Sequence, residues 1–333
     1  LEALGDLLDW MGKGGQIGIY DATNSTRERR QLVCSKLDQA GVEVLLLETV
    51  CNDDDLVEAN IRESKLSNPD YLGMNPDDAV EDFRARIAHY ERAYEPLKDE
   101  EWSYIRVIDV GDRIELNRIR GFRMGRIVNF VMNLHIAPRP IWLSRHGESL
   151  ANVQGILGGD PELSTDGYRY ARSLQDFVDL RTADRPLSVW TSTLQRTILT
   201  AAPLNRHTLQ LRPLDEIDAG IADGLSYAQV AEQYPQEFRA RANDKLRYRY
   251  PRGESYEDVI DRLNPLIIEL ERQRDPVLVV AHQAVLRALY GYFVGRSREE
   301  VPYLDIPLHT VIELTPKAYG CDERRFVLPP GVR

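Results

Sequence analysis

Apolar runs alternate with polar, helix-like stretches along most of the chain. The apolar residues Ile17 and Ile19 precede a stretch with helical spacing from Arg27 to Gln39, and a second apolar run covers residues 42–51. Continuous apolar runs on either side of a helix are typical of buried parallel strands in βαβ units. The pattern therefore predicts a strand, a helix and a second strand of a parallel sheet.

The alternation continues through the next ninety residues. Asn75 and Pro76 supply a cap and a first-turn residue for an amphipathic helix. Strand-like segments and a turn follow, and then a helix near residues 121–133. These elements extend the α/β pattern of the first part.

Two prolines then interrupt the pattern. Pro138 and Pro140 fit neither a helix interior nor a central strand. We place the domain boundary here, between one domain at residues 1–137 and another at residues 138–333.

The second part alternates again between strands and helices. The predicted strands are residues 141–144, 187–192, 276–281 and 311–314, and residues 211–217 are predicted as a strand or an extended segment. The predicted helices are residues 166–179, 194–203, 257–272 and a helix directly after residue 281. Residues 227–256 are polar and aromatic, so we expect an excursion outside the core. The fold class is α/β, with helices on a mostly parallel sheet.

Composition limits the classes of function. Of the 333 residues, 43% are hydrophobic and 29% are charged, and the net charge is −11, which disfavours general nucleic-acid binding. The sequence contains no run of about 18 apolar residues, so it predicts no membrane span. The three cysteines are widely separated, which argues against a disulfide framework or a zinc site and favours a cytoplasmic location.

Charged and polar residues follow the predicted strands of the second part. In open α/β sheets, ligands bind beyond the carboxyl ends of the strands, so these side chains should meet at one edge. The residues are Arg145 and His146, Arg196, Asp215, Glu216 and Asp218, and His282, Gln283 and Arg287.

This set of side chains suits phosphoryl transfer. Guanidinium groups bind two phosphate oxygens at once, and a neutral imidazole is a nucleophile that accepts a phosphoryl group. Arg145 would keep the neighbouring His146 unprotonated, a second histidine would stabilise the equatorial oxygens, and a carboxylic acid would protonate the leaving alkoxide. The set thus predicts a phosphohistidine intermediate without a metal.

A structural role is the alternative for each histidine taken singly. His146 and His282 both directly follow strands, and each has an arginine beside it or at helical spacing, which favours catalysis for this pair. His89, His135, His207 and His309 have no such setting, and we expect ordinary surface or packing roles for them.

Several motifs resemble those of a known superfamily. The strings RHGES from Arg145, GG at 158–159, LSTDG from Leu163 and TSTLQRT from Thr191 resemble the histidine phosphatase superfamily. DKLRYRYPRGESYEDVIDRL and AHQAVLRALYGYF resemble the fructose-2,6-bisphosphatase domain of the bifunctional 6-phosphofructo-2-kinase/fructose-2,6-bisphosphatase family. YDATNSTRERR, SNPDY and VIDVGDRIELNRI in the first part resemble the kinase half of that family.

The resemblance implies a fold and residue roles. It implies a partial P-loop kinase-like domain followed by a three-layer α/β histidine-phosphatase domain of the phosphoglycerate mutase-like type. His146 would be the nucleophile and Glu216 the general acid and base, with His282 also catalytic. Residues implied to bind substrate are Arg145, Asn152, Gly158, Arg196, Tyr227, Arg241, Lys245, Tyr256, Gln283 and Arg287.

The first part carries only half of the family's kinase site. Asp21, Lys65, Arg86 and Arg126 match positions for magnesium or the sugar phosphate, but the chain has no G-x-x-x-x-G-K-[ST] loop to bind ATP. We expect a piece of a longer protein, with the loop upstream; the alternative is a kinase half that has decayed into a scaffold. We predict no kinase activity from this chain, and Mg and ATP as cofactors only if an intact kinase half lies upstream.

The implied activity is hydrolysis of the 2-phosphate of fructose 2,6-bisphosphate, without a cofactor. The alternatives are a phosphoglycerate mutase-like or other sugar-phosphate phosphatase, and a sugar-phosphate sensor with a silent site. The partner is a small sugar phosphate and neither nucleic acid nor a membrane. Any homodimer would form through the kinase half.

Overall fold

The computed structural model describes residues 2–62, 71, 73–134, 139–182, 185–317 and 320–328. The chain divides into two compact units, Leu1–Leu134 and His135–Arg333. The predicted boundary after residue 137 lies outside the described residues. No helix among the described residues is long and apolar enough to cross a membrane.

The helices and strands are numbered in chain order. The helices are α1 (Glu2–Gly12), α2 (Arg27–Gln39), α3 (Asp54–Asn60), α4 (Pro76–Glu91), α5 (Gly121–Asn133), α6 (Leu150–Gln154), α7 (Thr165–Thr182), α8 (Gln195–Ala201), α9 (Tyr227–Gln233), α10 (Pro235–Asn243), α11 (Tyr256–Arg272) and α12 (Gln283–Phe293). The strands are β1 (Leu45–Val50), β2 (Ser103–Ile108), β3 (Arg113–Asn117), β4 (Ile141–Arg145), β5 (Ser188–Thr191), β6 (Thr208–Gln210), β7 (Val277–Ala281), β8 (Thr310–Lys317) and β9 (Gly320–Val327).

The first unit contains a three-stranded sheet in the order β1-β2-β3. β1 and β2 are parallel, and β3 is antiparallel to β2. Leu4 of α1 packs with Val33 and Leu37 of α2 in a small apolar cluster. The cap predicted for α4 is confirmed, because Asn75 accepts a hydrogen bond from the backbone N–H of Asp77.

The strand predicted around Ile17 and Ile19 is wrong. Both side chains are exposed, and residues 15–21 form no strand. Gly14, Gly15 and Gly18 give this segment a low propensity for extended pairing, and no described strand lies beside it to satisfy its backbone groups. The helix predicted at residues 27–39 is confirmed as α2.

The second unit is built on a six-stranded sheet in the order β6-β5-β7-β4-β8-β9. The first four strands in this order are parallel to one another, while β8 is antiparallel to β4 and β9 to β8. β4 and β7 lie side by side with Arg145 opposite Ala281. Consequently the residues that follow these two strands emerge next to each other.

Helices cover both faces of this sheet, which confirms the predicted three-layer α/β fold. Val277 and Val279 of β7 pack with residues of α11 and α12 on one face. Leu278 and Val280 of the same strand pack on the other face with residues of α7. Alternate side chains of a strand point to opposite faces, so a continuous apolar run is needed when both faces are buried.

Three features of this unit differ from the prediction. Residues 211–217 lie after β6 and contain a 3-10 turn at Arg212–Leu214 instead of a strand, because Pro213 lacks the N–H that pairing needs. The polar excursion at residues 227–256 forms two short helices, α9 and α10, before α11 begins. Ser226 caps α9 through a reciprocal pair of hydrogen bonds with Gln229, a signal that the sequence contains. The edge strand β9 was not predicted, because its central residues are charged.

Candidate active site

The two histidines meet at the carboxyl ends of β4 and β7. The backbone N–H of His146 donates to the carbonyl of Ala281 at 3.0 Å, and the two imidazole ring centroids are 5.1 Å apart. Both side chains are buried. The parallel register of β4 and β7 therefore brings together two residues that are 136 positions apart in the sequence, the difference between 146 and 282.

His146 has one ring nitrogen engaged and one available. Its Nδ1 lies 2.7 Å from the carbonyl oxygen of Gly147, an acceptor only, so Nδ1 carries the proton and Nε2 has the lone pair. Burial, followed by the positive charge of Arg196, lowers the pKa of His146 to about 3. The imidazole is therefore neutral near pH 7, as a nucleophile requires.

Gly147 allows the loop after His146 to pack closely. A Cβ atom at this position would lie 2.5 Å from the carbonyl oxygen of Gly167. The N–H of Gly147 donates to the hydroxyl of Thr200, which in turn donates to the carbonyl of Arg196. The loop is thus hydrogen-bonded to the helix that carries Arg196.

His282 lies at the start of α12 and is fully buried behind Arg196. The Nε–H of Arg196 donates to Nδ1 of His282 at 3.2 Å, and Nε2 of His282 lies 2.8 Å from the Ser192 hydroxyl. Burial, followed by the charge of Arg196, lowers the pKa of His282 well below its ordinary value. In this state His282 contacts His146 and Arg196 but does not line the cavity.

Glu216 reaches the same edge from the segment after β6. One oxygen of its carboxylate accepts hydrogen bonds from the backbone N–H groups of Ile217 at 2.9 Å and Ala284 at 3.2 Å. Ala284 lies in the first turn of α12, where unpaired N–H groups favour an anionic acceptor. The helix that begins after His282 therefore also orients Glu216.

A cavity of about 380 Å³ opens in front of these residues. All but one of the predicted site residues of this unit line it: Arg145, His146, Asn152, Gly158, Arg196, Glu216, Tyr227, Arg241, Lys245, Tyr256, Gln283 and Arg287. Four arginines and one lysine face a single carboxylate, that of Glu216, among the lining residues that the structure describes. A cavity with this excess of positive charge suits a ligand that carries more than one phosphate.

Arg145 and Arg196 flank His146 on the inner side of the cavity. Arg145 Nη1 donates to the carbonyl of Ile306 at 3.2 Å, and Arg196 Nη1 donates to the carbonyl of Gly159 at 2.7 Å. A backbone carbonyl engages one donor of each guanidinium group and leaves others for a ligand. Their orientation is thus set by the protein.

Asn152 and Gly158 have visible structural roles. The side chain of Asn152 accepts from the backbone N–H of Ser149 and completes a capping box on α6. Gly158 has a positive φ of 70°, and a Cβ atom there would lie 1.4 Å from an oxygen of Asp223. Both residues therefore shape the wall of the cavity.

The outer part of the cavity holds three cations among aromatic rings. Arg241 Nη2 donates to the Tyr227 hydroxyl at 3.2 Å, and Arg287 Nη1 donates to the Tyr256 hydroxyl at 3.0 Å. Burial, followed by the charges of Arg287 and Arg241, lowers the pKa of Lys245 to about 8. Lys245 is therefore mostly charged at pH 7.

The segment 302–306 holds cations of both parts of the cavity. The carbonyls of Pro302, Leu304 and Ile306 accept hydrogen bonds from Lys245, Arg287 and Arg145, at 2.7, 2.6 and 3.2 Å. Pro302 lies in a single 3-10 turn, Val301–Tyr303, and Leu304 and Ile306 lie in the irregular segment that follows it. Sequence reasoning missed this segment, because a backbone carbonyl leaves no mark on the residue type.

The sequence also missed several aromatic residues of the wall. Tyr248 and Tyr250 line the cavity, and the exposed ring of Tyr303 lies 5.2 Å from Lys245 Nζ. The density of tyrosines in residues 227–256 was the available signal for the first two. The sequence around Tyr303 contains no comparable cluster of tyrosines.

The other histidines lie elsewhere. His89 and His207 are exposed, and His309 packs against Tyr170 with a centroid distance of 5.0 Å. His135 lies outside the described residues. The described histidines thus agree with the surface and packing roles expected for them.

The predicted kinase residues of the first unit are spread over different elements. Asp21 lies in an exposed segment before α2. Arg86 donates to the Tyr71 hydroxyl at 2.8 Å, and Arg126 lies 5.7 Å from the ring of Phe122. Lys65 lies outside the described residues. Among the residues that the structure describes, no group of three or more histidine, cysteine or acidic side chains forms a metal site.

The fold and site of the second unit are those of a histidine phosphatase. The sequence profile of the histidine phosphatase superfamily (branch 1) matches residues 141–328. The alpha-ribazole phosphatase from Shigella flexneri superposes on 58% of this chain and 99% of its own, with a TM-score of 0.51 and 23% identity. Mycobacterial hydrolase 2 covers 59% of this chain and 93% of its own, with a TM-score of 0.50 and 25% identity.

The particular family follows from the whole chain. The profile of 6-phosphofructo-2-kinase matches residues 1–138. The 6-phosphofructo-2-kinase/fructose-2,6-bisphosphatase of Gallus gallus is 49% identical over 98% of this chain and 70% of its own length. The enzyme of the same name from Arabidopsis thaliana is 50% identical over 98% of this chain, which spans 44% of that relative's length. The chain belongs to the 6-phosphofructo-2-kinase/fructose-2,6-bisphosphatase family.

Proposed function

We propose that the chain hydrolyses the 2-phosphate of fructose 2,6-bisphosphate through a phosphohistidine at His146. The observation that carries the proposal is the neutral, buried His146 with its free Nε2 between Arg145 and Arg196 at the inner end of a cationic cavity. A nucleophile, two guanidinium groups and an acid then meet at one phosphoryl group.

In the first step, Nε2 of His146 attacks phosphorus. The N–P bond forms while the bond between phosphorus and the oxygen on C2 breaks, and Glu216 donates a proton to that oxygen. Arg145 and Arg196 hold the phosphoryl oxygens, whose charge they neutralise in the transition state. Fructose 6-phosphate leaves as the product.

In the second step, Glu216 is the base. It takes a proton from a water molecule, the water oxygen attacks phosphorus, and the N–P bond breaks to release inorganic phosphate and neutral His146. The carboxyl group is thereby protonated again for the next turnover. Arginine and lysine supply the positive charge for both steps, so we propose that phosphate release needs no metal.

The outer cavity would hold the rest of the substrate. Arg241, Lys245 and Arg287 offer donors for the phosphate on C6, and Tyr227, Tyr256 and Gln283 surround the sugar. This division of the cavity favours a bisphosphate over a monophosphate. The names of the relatives include a fructose-2,6-bisphosphatase activity, and a cavity with two phosphate-binding parts suits that substrate. Both points support fructose 2,6-bisphosphate as the substrate.

The residues present in the first unit do not fit the ATP and Mg that a kinase half implies. Asp21 lies exposed in an irregular segment, and the chain contains no phosphate-binding G-x-x-x-x-G-K-[ST] loop. We therefore propose no kinase step for this chain.

The test is capture of the intermediate with substrate labelled at the 2-phosphate. Rapid quenching in alkali should leave label on His146 of the native chain, and EDTA should not change phosphate release. His146→Asn should neither trap label nor turn over, while the matched variant of an exposed histidine, His207→Asn, should do both. Turnover without label on His146, or turnover by His146→Asn, would overturn the proposal.

A panel of substrates separates the alternatives. Phosphate release should be fastest with fructose 2,6-bisphosphate and slower with fructose 1,6-bisphosphate and phosphoglycerates. Preference for phosphoglycerates would support a mutase-like enzyme instead. Tight binding of fructose 2,6-bisphosphate without release would support a sensor.

A further inference from the structure

Two buried hydroxyls beside His282 have no part in the proposed reaction. Ser192 follows β5 directly, and Thr197 lies in the first turn of α8. Both side chains are fully buried, and Ser192 Oγ lies 2.8 Å from Nε2 of His282 and 2.9 Å from Oγ1 of Thr197. They form a hydroxyl pair behind the imidazole.

The contact on the other ring nitrogen shows which tautomer His282 adopts in the free chain. An arginine Nε always carries a hydrogen and never accepts, so Nδ1 of His282 must accept the hydrogen bond from Arg196. A neutral imidazole has one N–H group, which must then be at Nε2. Nε2 therefore donates to Ser192.

The hydrogen bonds of Ser192 agree with this direction. Its oxygen has three partners: the backbone N–H of Leu194 at 3.1 Å, Nε2 of His282 and the Thr197 hydroxyl. A serine hydroxyl accepts twice and donates once, so it accepts from Leu194 and His282 and donates to Thr197. All of its hydrogen-bonding capacity is used.

The chain of donors ends on an obligatory acceptor. Thr197 Oγ1 lies 2.8 Å from the carbonyl of Leu194, which can only accept. If these hydrogen bonds ran in the opposite direction, His282 would accept at Nε2 and carry its proton on Nδ1. That proton would point directly at the Nε–H of Arg196. Two donors would then face each other at 3.2 Å, so only the first direction satisfies every group.

We propose that Ser192 and Thr197 are positioning residues that hold the proton of His282 on Nε2 and turn Nδ1 toward the phosphoryl site. The part of this proposal that concerns turnover rests on the proposed function. When a phosphate group takes the donors of Arg196, Nδ1 loses its partner, takes a proton from solvent and donates it in a hydrogen bond to a phosphate oxygen. Nε2 donates to Ser192 before and after that step.

The neutral hydroxyl pair makes protonation of His282 depend on the ligand. The charged or titratable groups that act on His282 are Arg196, His146, Arg145 and Arg262, and no carboxylate is hydrogen-bonded to its ring among the described residues. The cations oppose a second proton on the ring in the free enzyme. A bound anion reverses that field, so protonation follows phosphate binding.

The direct test is nitrogen NMR of the full chain labelled at histidine, with His282→Asn to assign the signal. In the free chain, Nε2 of His282 should be protonated and Nδ1 unprotonated. Saturating inorganic phosphate should protonate Nδ1 as well. If His282 of the ligand-free protein carries its proton on Nδ1, the proposal is overturned. Neither measurement depends on hydrolysis.

The roles of the two hydroxyls are tested by variants that change only the hydrogen bonds from His282 to Ser192 and Thr197. Thr197→Val removes the hydroxyl and keeps the shape, whereas Thr197→Ser keeps the hydroxyl. Thr182→Val is the matched control, because the buried hydroxyl of Thr182 also donates to a carbonyl but lies in α7. Ser192→Ala removes the acceptor itself.

Ser192→Ala leaves the N–H at Nε2 without its acceptor, and Thr197→Val frees the Ser192 hydroxyl to donate to Nε2. Both variants should therefore mix the two tautomers of His282, although the Nε–H of Arg196 still favours the native one. They should lower kcat about 10- to 100-fold, the usual effect of removing a group that orients an active histidine, with little change in KM. Thr197→Ser and Thr182→Val should keep the native tautomer and kcat. A native tautomer in Thr197→Val and Ser192→Ala would overturn the positioning role, whatever the activity of the chain.

Discussion

At the residue scale, His146 gains its reactivity from burial. Burial, followed by the charges of Arg196 and Arg145, lowers the pKa of His146 and keeps its imidazole neutral. A solvent-exposed histidine would be partly protonated near pH 6.5 and would then lack a lone pair. The same burial has a cost in stability that can be measured.

The first prediction concerns stability in acid. The unfolded chain protonates His146 near pH 6.5, whereas the folded chain does so only near pH 3. Stability is thus complete above pH 6.5 and falls as the pH decreases toward 3. By linkage, His146 should lower the free energy of unfolding by about 2 kcal/mol between pH 7 and pH 5.

Urea unfolding at pH 7 and pH 5 checks this value. His146→Asn should lose about 2 kcal/mol less than the native chain over this interval. His207→Asn, at an exposed position, should behave like the native chain. An equal loss in His146→Asn and the native chain would contradict a depressed pKa of His146.

The second prediction concerns Lys245. Its pKa of about 8 means that the charge is present at pH 7 and is lost as the pH rises to 9. KM for fructose 2,6-bisphosphate should therefore rise by up to about 10-fold over this interval. Lys245→Arg should show a much smaller rise, because arginine stays charged at pH 9. A similar rise of KM in both proteins would assign the pH dependence to another group.

The sequence predicted well which side chains lie together at the cavity. The motifs around Arg145 and His282 contain side chains that the parallel sheet brings together. The hydroxyl pair and the carbonyls of residues 302–306 were not predicted. Serine, threonine and backbone groups occur throughout any sequence, and only the fold shows which of them contact a reacting residue.

At the element scale, α11 supports the position of Glu216. Arg262 of this helix donates to the carbonyls of Pro213 and Asp215, the latter at 2.7 Å, and pairs with the carboxylate of Glu254 at 2.9 Å. The guanidinium group thereby holds the backbone just before the acid. Sequence pattern predicted α11 but not this contact.

The third prediction follows from that contact. Arg262→Met should lower kcat by about 100-fold, since a displacement of about 1 Å in a catalytic group has an effect of this size. KM should change little, because Arg262 does not line the cavity. Steady-state kinetics with fructose 2,6-bisphosphate give both values.

The matched control lies on the same helix. Arg272→Met removes an exposed arginine that pairs with Glu269 three residues earlier, and exposed pairs contribute about 0–1 kcal/mol. This variant should keep native kcat and KM. Loss of activity in both variants, or an effect of Arg262→Met on KM alone, would argue against a role in placing Glu216.

Helices were easier to predict than strands. The limits of α2 agree with its pattern, because a helix satisfies its backbone within one segment and its cap, Thr26, is adjacent. A strand depends on a neighbour that the local sequence does not show. The apolar run at Ile17 and Ile19 therefore predicted a strand that the structure lacks, while charged β9 forms one beside β8.

At the scale of the whole molecule, the charge of the chain and that of its cavity have opposite signs. The net charge is −11, yet five cations and one carboxylate line the cavity among the described residues. The cavity can therefore attract an anion locally although the chain as a whole is negative. The location of the cations, rather than their total number, decides which ligands bind.

The two units also differ in how much of a site each contains. The second unit brings a buried histidine, a carboxylate and five cations to the lining of one cavity. The first unit matches the kinase half of the family by sequence, but the given chain contains no G-x-x-x-x-G-K-[ST] loop. The chain should therefore work in one direction only.

The fourth prediction states that direction. With ATP, Mg and fructose 6-phosphate, the chain should form no fructose 2,6-bisphosphate, because it lacks the loop whose amides and lysine bind the phosphates of ATP. The assay should use His146→Asn, since hydrolysis by the native chain would conceal slow synthesis. Native chain given fructose 2,6-bisphosphate should release phosphate in parallel. Accumulation of the bisphosphate by His146→Asn would show that the first unit binds and uses ATP without that loop.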